Sequence, residues 1–220
     1  MSILNAQCCG AECIIEVDTL GGVAPGMLPD GLMAEQVLVP VPKVCVVAHQ
    51  SLMAASRGTT LFFCLLSQAL QVSPLRADEL LDHAQDLLTE LYHGQFLRHP
   101  LSAQGGMREV SNDGVIACFS PRLQRMRVLS FCTRGPSEPV EVNWLSEGGR
   151  RDVHITPWFD ELEPFERAAL AGRSIEAMPA VQLRLVAERH PEMMTGGDIV
   201  TVRLSMDEIR VTKRPQPSWR

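Results

Sequence analysis

"SPLRADELLDHAQDLLTELYHG", residues 73–94, carries Leu80, Leu81, Ala84, Leu87, Leu88, Leu91 and Tyr92 at three- and four-residue steps. That period is helical, and Asp82, Asp86, Thr89 and Glu90 fall on the opposite side. Ser73 offers an N-cap oxygen, Pro74 suits the first helical position, and Gly94 sits where helices commonly stop. The spacing predicts one amphipathic helix with a buried leucine stripe and an acidic outer face. Just before it, "TTLFFCLLSQAL" (59–70) is apolar nearly all round, which predicts a buried helix.

Outward from this pair the period changes. On the N-terminal side, "CIIEV" (13–17) reads as a short strand that runs into the turn-rich "DTLGGVAPGMLPDG" (18–31). "QVLVPVPKVCVV" (36–47) is β-rich, but Pro40 and Pro42 lack ladder donors, so it belongs at an edge or in two pieces. On the C-terminal side, "REVSNDGVIACFS" (108–120) sets Asn112-Asp113-Gly114 between two β-like arms, the pattern of a hairpin turn. "RMRVLSFC" (125–132), "VEVNW" (140–144) and "DVHIT" (152–156) continue as strands, and "EPFERAALAG" (163–172) is a short helix. "AVQLRLVAE" (180–188) and "GGDIVTVRLSMDEIRV" (196–211) alternate again and read as strands. The expected fold is α+β: a helical N-terminal half, followed by a mostly antiparallel β C-terminal half with one short helix. "SAQGG" (102–106) is the expected boundary, giving parts 1–106 and 107–220, either separate or integrated.

Charge narrows the functions. Residues 1–107 hold 4 basic and 10 acidic side chains, whereas 108–220 hold 16 of each. An acidic half repels phosphate, so general DNA binding is disfavoured, and the scarcity of aromatics (5%) disfavours base stacking. No apolar run approaches membrane-spanning length, and the first residues show no export pattern, so a cytoplasmic protein is expected, with reduced thiols.

Seven cysteines invite a metal reading. Cys9-x3-Cys13 and Cys45-x3-His49 are soft-ligand pairs that zinc could use. A structural zinc needs four ligands about one point, however, and Cys13 and Cys45 lie within apolar runs where a thiol packs as a small hydrophobe. Packing is the preferred reading and no cofactor is favoured. Among the histidines, His154 in "DVHITPWFDE" is followed by Trp158, Asp160 and Glu161, types that could build a polar pocket around a general base. From Val115 to Ser137 there are four arginines, Arg122, Arg125, Arg127 and Arg134, and no acid. Guanidinium groups there could contact an anion or a partner, or meet the acidic helix of residues 78–90.

"DELLDHAQDLLTELYHGQFLRHPL" (78–101), "SPRLQR" (120–125) and "LEPFERAALAG" (162–172) resemble the region that follows the catalytic domain in bacterial S-adenosylmethionine-dependent methyltransferases with a regulatory domain. The chain shows no methyltransferase domain, and "AGRS" (171–174) replaces the acidic-glycine ending of that region. The resemblance therefore implies a winged-helix-like N-terminal half and a regulatory or substrate-presenting module, and carries over no catalytic residue. With HExxH, GxSxG and GxxxxGK[ST] all missing, the expectation is a non-catalytic cytosolic module for protein–protein interaction. The alternative is a small enzyme with a polar pocket around His154, assisted by a metal.

Overall fold

The structure is a computed structural model that describes residues 2–22, 38–104, 106–146, 152–189 and 196–215. Two five-stranded antiparallel sheets carry it. In the first, β1 (Leu4–Cys9) and β2 (Glu12–Asp18) form a hairpin flanked by β10 (Asp152–Thr156) on one side and by β11 (Ile199–Ser205) and β12 (Ile209–Arg214) on the other. The second runs in chain order from β5 (Val44–Val47) through β6 (Leu52–Arg57), β7 (Asn112–Ser120) and β8 (Arg125–Thr133) to β9 (Glu141–Trp144). A two-stranded ribbon, β3 (Leu20–Gly22) with β4 (Leu38–Pro40), leads from the first sheet toward the second.

The sheets pack face to face. Alternation along each strand sends Leu4, Ala6, Cys8, Cys13, Ile15 and Val17 from the first sheet against Met53, Ala55, Val115, Ala117 and Val128 of the second. Their opposite faces are covered by helices, giving four layers in the order helix, sheet, sheet, helix. Over the second sheet lie α1 (Thr60–Val72), α2 (Ala77–Asp82) and α3 (Ala84–Thr89), whose Phe62, Leu66, Leu80 and Leu88 join Cys45, Leu52, Ile116 and Phe131 in one core. Over the first sheet lie α4 (Glu163–Leu170) and α5 (Met178–Arg189), with Ala169, Met178 and Leu185 against Ile14.

This overturns the expectation of a helical, winged-helix-like N-terminal half followed by a β half. Strands β1 to β6 all precede residue 58, and each five-stranded sheet draws strands from both sides of residue 106. The helices of residues 60–96 are a cover laid on a sheet, which is why their apolar stripe is so plain in the sequence.

Three local readings also change. The long helix is divided: the helical run begins at Ala77, with the Arg76 N–H donating to Glu79 Oε2 at 3.1 Å, and His83 leaves helical geometry between α2 and α3. Gly94 lies inside the wider π-type turns of Glu90–Phe96 rather than after the last turn. Asn112-Asp113-Gly114 is no turn but the start of β7, and the hairpin reverses at residues 121–124 with Gln124 at φ 52°. Gly114 is required by close approach: a Cβ there would stand 2.1 Å from the Phe131 ring and 2.8 Å from the Ala55 carbonyl. Finally, "AVQLRLVAE" is part of α5, not a strand. Its helical stripe includes the fully buried Gln182, a polar residue that breaks the apolar period in the sequence.

The shorter stretches fare better. Residues 60–72 form a helix, but one buried on a single side, with Phe62, Phe63, Leu66 and Leu70 inward and Cys64 and Val72 exposed; 163–170 form the short one, and the described residues 38–47 divide into two strands separated by residues 41–43. The glycine-rich loop lies outside the described residues from position 23 onward.

Candidate functional site

Strand pairing brings one end of β1 beside the end of β2. Antiparallel register sets Leu4 opposite Val17, so the chain just before β1 meets Asp18 where β2 stops. The ribbon then returns the chain, with Leu20 opposite Pro40, to deliver Lys43 at the start of β5. Three residues far apart in sequence converge there. Lys43 Nζ lies 2.8 Å from Ser2 Oγ, 2.8 Å from Asp18 Oδ1 and 2.5 Å from the Leu20 carbonyl oxygen.

The carboxylate is fixed from other directions. The Ile3 N–H donates to Asp18 Oδ1 at 2.9 Å and the Gly196 N–H to Oδ2 at 3.2 Å. Asp18 is fully buried and Lys43 is 7% exposed. Burial lowers the Lys43 amine from its ordinary range, against the attraction of Asp18, and burial likewise raises Asp18. Both directions favour uncharged forms. An ammonium would donate all three protons to Ser2, Asp18 and Leu20; a neutral amine has a lone pair into which the Ser2 hydroxyl can donate. A slot of about 620 Å³ is lined by Asp18 and Lys43 with Val17, Leu20, Val44, Val46 and Val200, and by the charged Asp198 and Lys213; Ser2 does not line it.

On the other side of Ser2 stands a second polar group. Arg57, at the end of β6, donates from Nη1 to the Ser2 carbonyl at 3.2 Å and from Nε to Asp113 Oδ2 at 2.6 Å. His154 on β10 is opposite Ala6, a residue of the core between the sheets, so alternation turns it toward that interior. Burial lowers its pKa, with Asp113 opposing and Arg57 adding to the shift.

The residues singled out in the sequence are dispersed. Asp160 is exposed, and Glu161 pairs with Arg189 at the far side of α5, so neither joins His154 in a pocket. Cys8 and Cys13 are cross-strand partners buried between the sheets, Cys9 is half-buried, and Cys45 packs on the helix-facing side of the second sheet. His49 is exposed, and among the described residues no three His, Cys, Asp or Glu side chains form a metal-ligating group. Of the arginines, Arg127 meets the acidic helix: it pairs with Asp82 at 2.7 Å and Asp78 at 3.6 Å, and lies 4.6 Å over the Trp144 ring. Arg122 reaches Asp82 and Arg134 reaches Glu141, both at the surface, while Arg125 on β8 is half-buried.

Sequence reasoning missed the Ser2–Asp18–Lys43 group because no short motif contains it. One signal was available: Lys43 is one of only two lysines, set inside the apolar "VPVPKVCVV". A lone ammonium in such a run needs a buried partner. No protein-family model matches this chain, and no curated protein matches it. Among the described residues no helix is long and apolar enough to cross a membrane.

Proposed function

We propose that this protein is a serine-nucleophile hydrolase acting on an amide or ester, with Ser2 Oγ as nucleophile. The observation that supports the reading is the 2.8 Å contact of Ser2 Oγ with the buried amine of Lys43, itself oriented by Asp18. A serine hydroxyl is a weak nucleophile until a base takes its proton, and a buried lysine amine is one of the bases used for this. In the forward step the Ser2 O–H proton passes to Lys43 Nζ as Oγ bonds to the substrate carbonyl carbon. The tetrahedral intermediate then collapses, the amine or alcohol departs with that proton, and an acyl-serine remains. Water, deprotonated by the same amine, cleaves the acyl-serine and regenerates the hydroxyl.

The expectation of a non-catalytic interaction module rested on missing motifs, on the amphipathic helix and on the resemblance; the first of these does not weigh against a nucleophile–base pair built by strand pairing, which leaves no motif. A cytosolic location suits the seven free thiols, which an oxidising compartment would tend to pair. The test is covalent labelling with a fluorophosphonate, followed by peptide mapping and intact mass. The label should fall on Ser2, vanish in Ser2→Ala, and slow by about 10²–10⁴-fold in Lys43→Met, the range of a lost general base. Intact mass also reports whether Met1 is present. Labelling of Ser2→Ala at the parent rate would overturn the proposal.

A further inference from the structure

We propose that Arg57 is the positioning residue of this site: its guanidinium fork, tied to Asp113, holds the Ser2 main chain so that Oγ stays in line with Lys43. The inference rests on the reading of Ser2 as the nucleophile. Ser2 lies ahead of the first strand, so the β1 ladder, which begins at Leu4, does not hold it. Among the described residues, Arg57 Nη1 donates to the Ser2 carbonyl at 3.2 Å, while the Ile3 N–H is held by Asp18 at 2.9 Å. Arg57 is in turn immobilised by Asp113 Oδ2 at 2.6 Å, and Asp113 receives its own bond from Ser111 Oγ at 3.3 Å. The chain of contacts Ser111–Asp113–Arg57–Ser2 thus connects the nucleophile to the start of β7, a central strand of the second sheet. Both side chains of the ion pair are more than four-fifths buried, so the fork is shielded from competing water.

A planar fork is needed because two acceptors are engaged at once, one through Nε and one through Nη1. Lysine keeps the charge but offers a single amine, which cannot span both. The charge has a separate effect. Lys43 faces Asp18 from β2 and the Ser2 hydroxyl, and lies within electrostatic range of Arg57 from β6; Arg57 faces Asp113 from β7 and lies within electrostatic range of His154 from β10. Asp198, just ahead of β11, pairs with Lys213 of β12, and both line the slot that Lys43 lines. A cation beside Lys43 disfavours its ammonium form, adding to the effect of burial.

The two contributions separate experimentally. In Arg57→Lys the fork is lost and the charge stays: fluorophosphonate labelling of Ser2 should slow by about 10–100-fold, as misplacement of reacting groups by about 1 Å does. The acid limb of its pH–rate profile should stay where it is in the parent. In Arg57→Gln the rate should fall comparably and the acid limb should move to higher pH, because Lys43 loses a repelling neighbour. Asp113→Asn leaves Arg57 in place but weakens its tether, and should slow labelling by a smaller factor; it serves if Arg57 variants fail to fold, as judged by thermal melting. Parent-like rate and acid limb in all three folded variants would overturn the role of Arg57 while leaving Ser2 as nucleophile. No label on Ser2 in the parent protein would overturn both.

Discussion

The two helix layers of this molecule are built on different principles. Over the second sheet the contact is apolar and aromatic: Phe62 packs edge-on against Tyr92 and Phe96, with ring centroids 6.1 and 5.8 Å away, and lies 5.9 Å from Phe131. Over the first sheet an apolar cluster of Ile14, Leu162, Met178 and Leu185 is joined by buried amides. Asn5 and Gln182 exchange two amide hydrogen bonds, at 2.6 and 3.1 Å, and Gln182 donates a further one to the Pro157 carbonyl at 2.9 Å. Gln7 bonds the Ala169 and Arg173 carbonyls and accepts from the Ile175 N–H. The aromatic interface derives its stability from buried area; the amide interface fixes orientation, because a misplaced helix would strand buried polar groups.

Chemical denaturation breaks or sharpens this contrast. The largest effect is expected at Phe62→Ala, which removes the centre of the aromatic cluster and should cost about 3–5 kcal/mol. A cost below about 1 kcal/mol would mean that the helices over the second sheet contribute little to its stability.

Next comes Glu16, on the polar face of β2. Burial pushes its carboxyl from 4.5 up to about 7, although Arg214 at 2.7 Å and the Thr201 hydroxyl at 3.0 Å favour the charged form. The folded state therefore binds the proton more tightly than the unfolded chain. Stability from this group is complete below pH 4.5, falls as pH rises through the window from 4.5 to about 7, and is flat above it. The full swing is about 3 kcal/mol by the standard conversion of a pKa shift. Glu16→Gln should flatten that window and be more stable than the parent protein at about pH 8. An unchanged slope in denaturant titrations across this range would show that Glu16 ionises normally.

The smallest effect is expected at Gln182→Ala. It leaves the Asn5 amide and the Pro157 carbonyl without partners and should cost about 1–3 kcal/mol. The sharper measurement is a double-mutant cycle with Asn5→Leu. If the two positions act as one clamp, the double substitution costs less than the sum of the singles. Additive costs would make the amide pair incidental.

The same contrast explains what could be read ahead of the structure. Helix α4 and strand β11 were visible because each presents one apolar face to one core. The arginine run was visible as charge, but not whether it meets a partner or the acidic helix; Arg127 pairs with Asp78 and Asp82 of that helix. Strand β1 was not read, since Asn5 and Gln7 in "LNAQCC" face a helix layer that only exists once α5 is placed. Helix α5 was misread for the reciprocal reason, because Gln182 occupies its buried stripe. Each polar residue disguised the other's element.

By itself, then, the amino-acid order determined those segments whose stability is local or one-sided: amphipathic helices, alternating strands, and small thiols placed as packing residues. The site is of another kind. Ser2, Asp18 and Lys43 are separated by stretches that contain no common spacing, and they meet only because β1 pairs with β2 and the β3–β4 ribbon carries the chain back. Hydrophobic periodicity reports which side of an element is buried; it does not report which buried polar groups will share a hydrogen bond. That is decided by strand register, where a shift of one residue turns every side chain to the other face. Tertiary structure alone brought an amine, a carboxylate and a hydroxyl to one dry point.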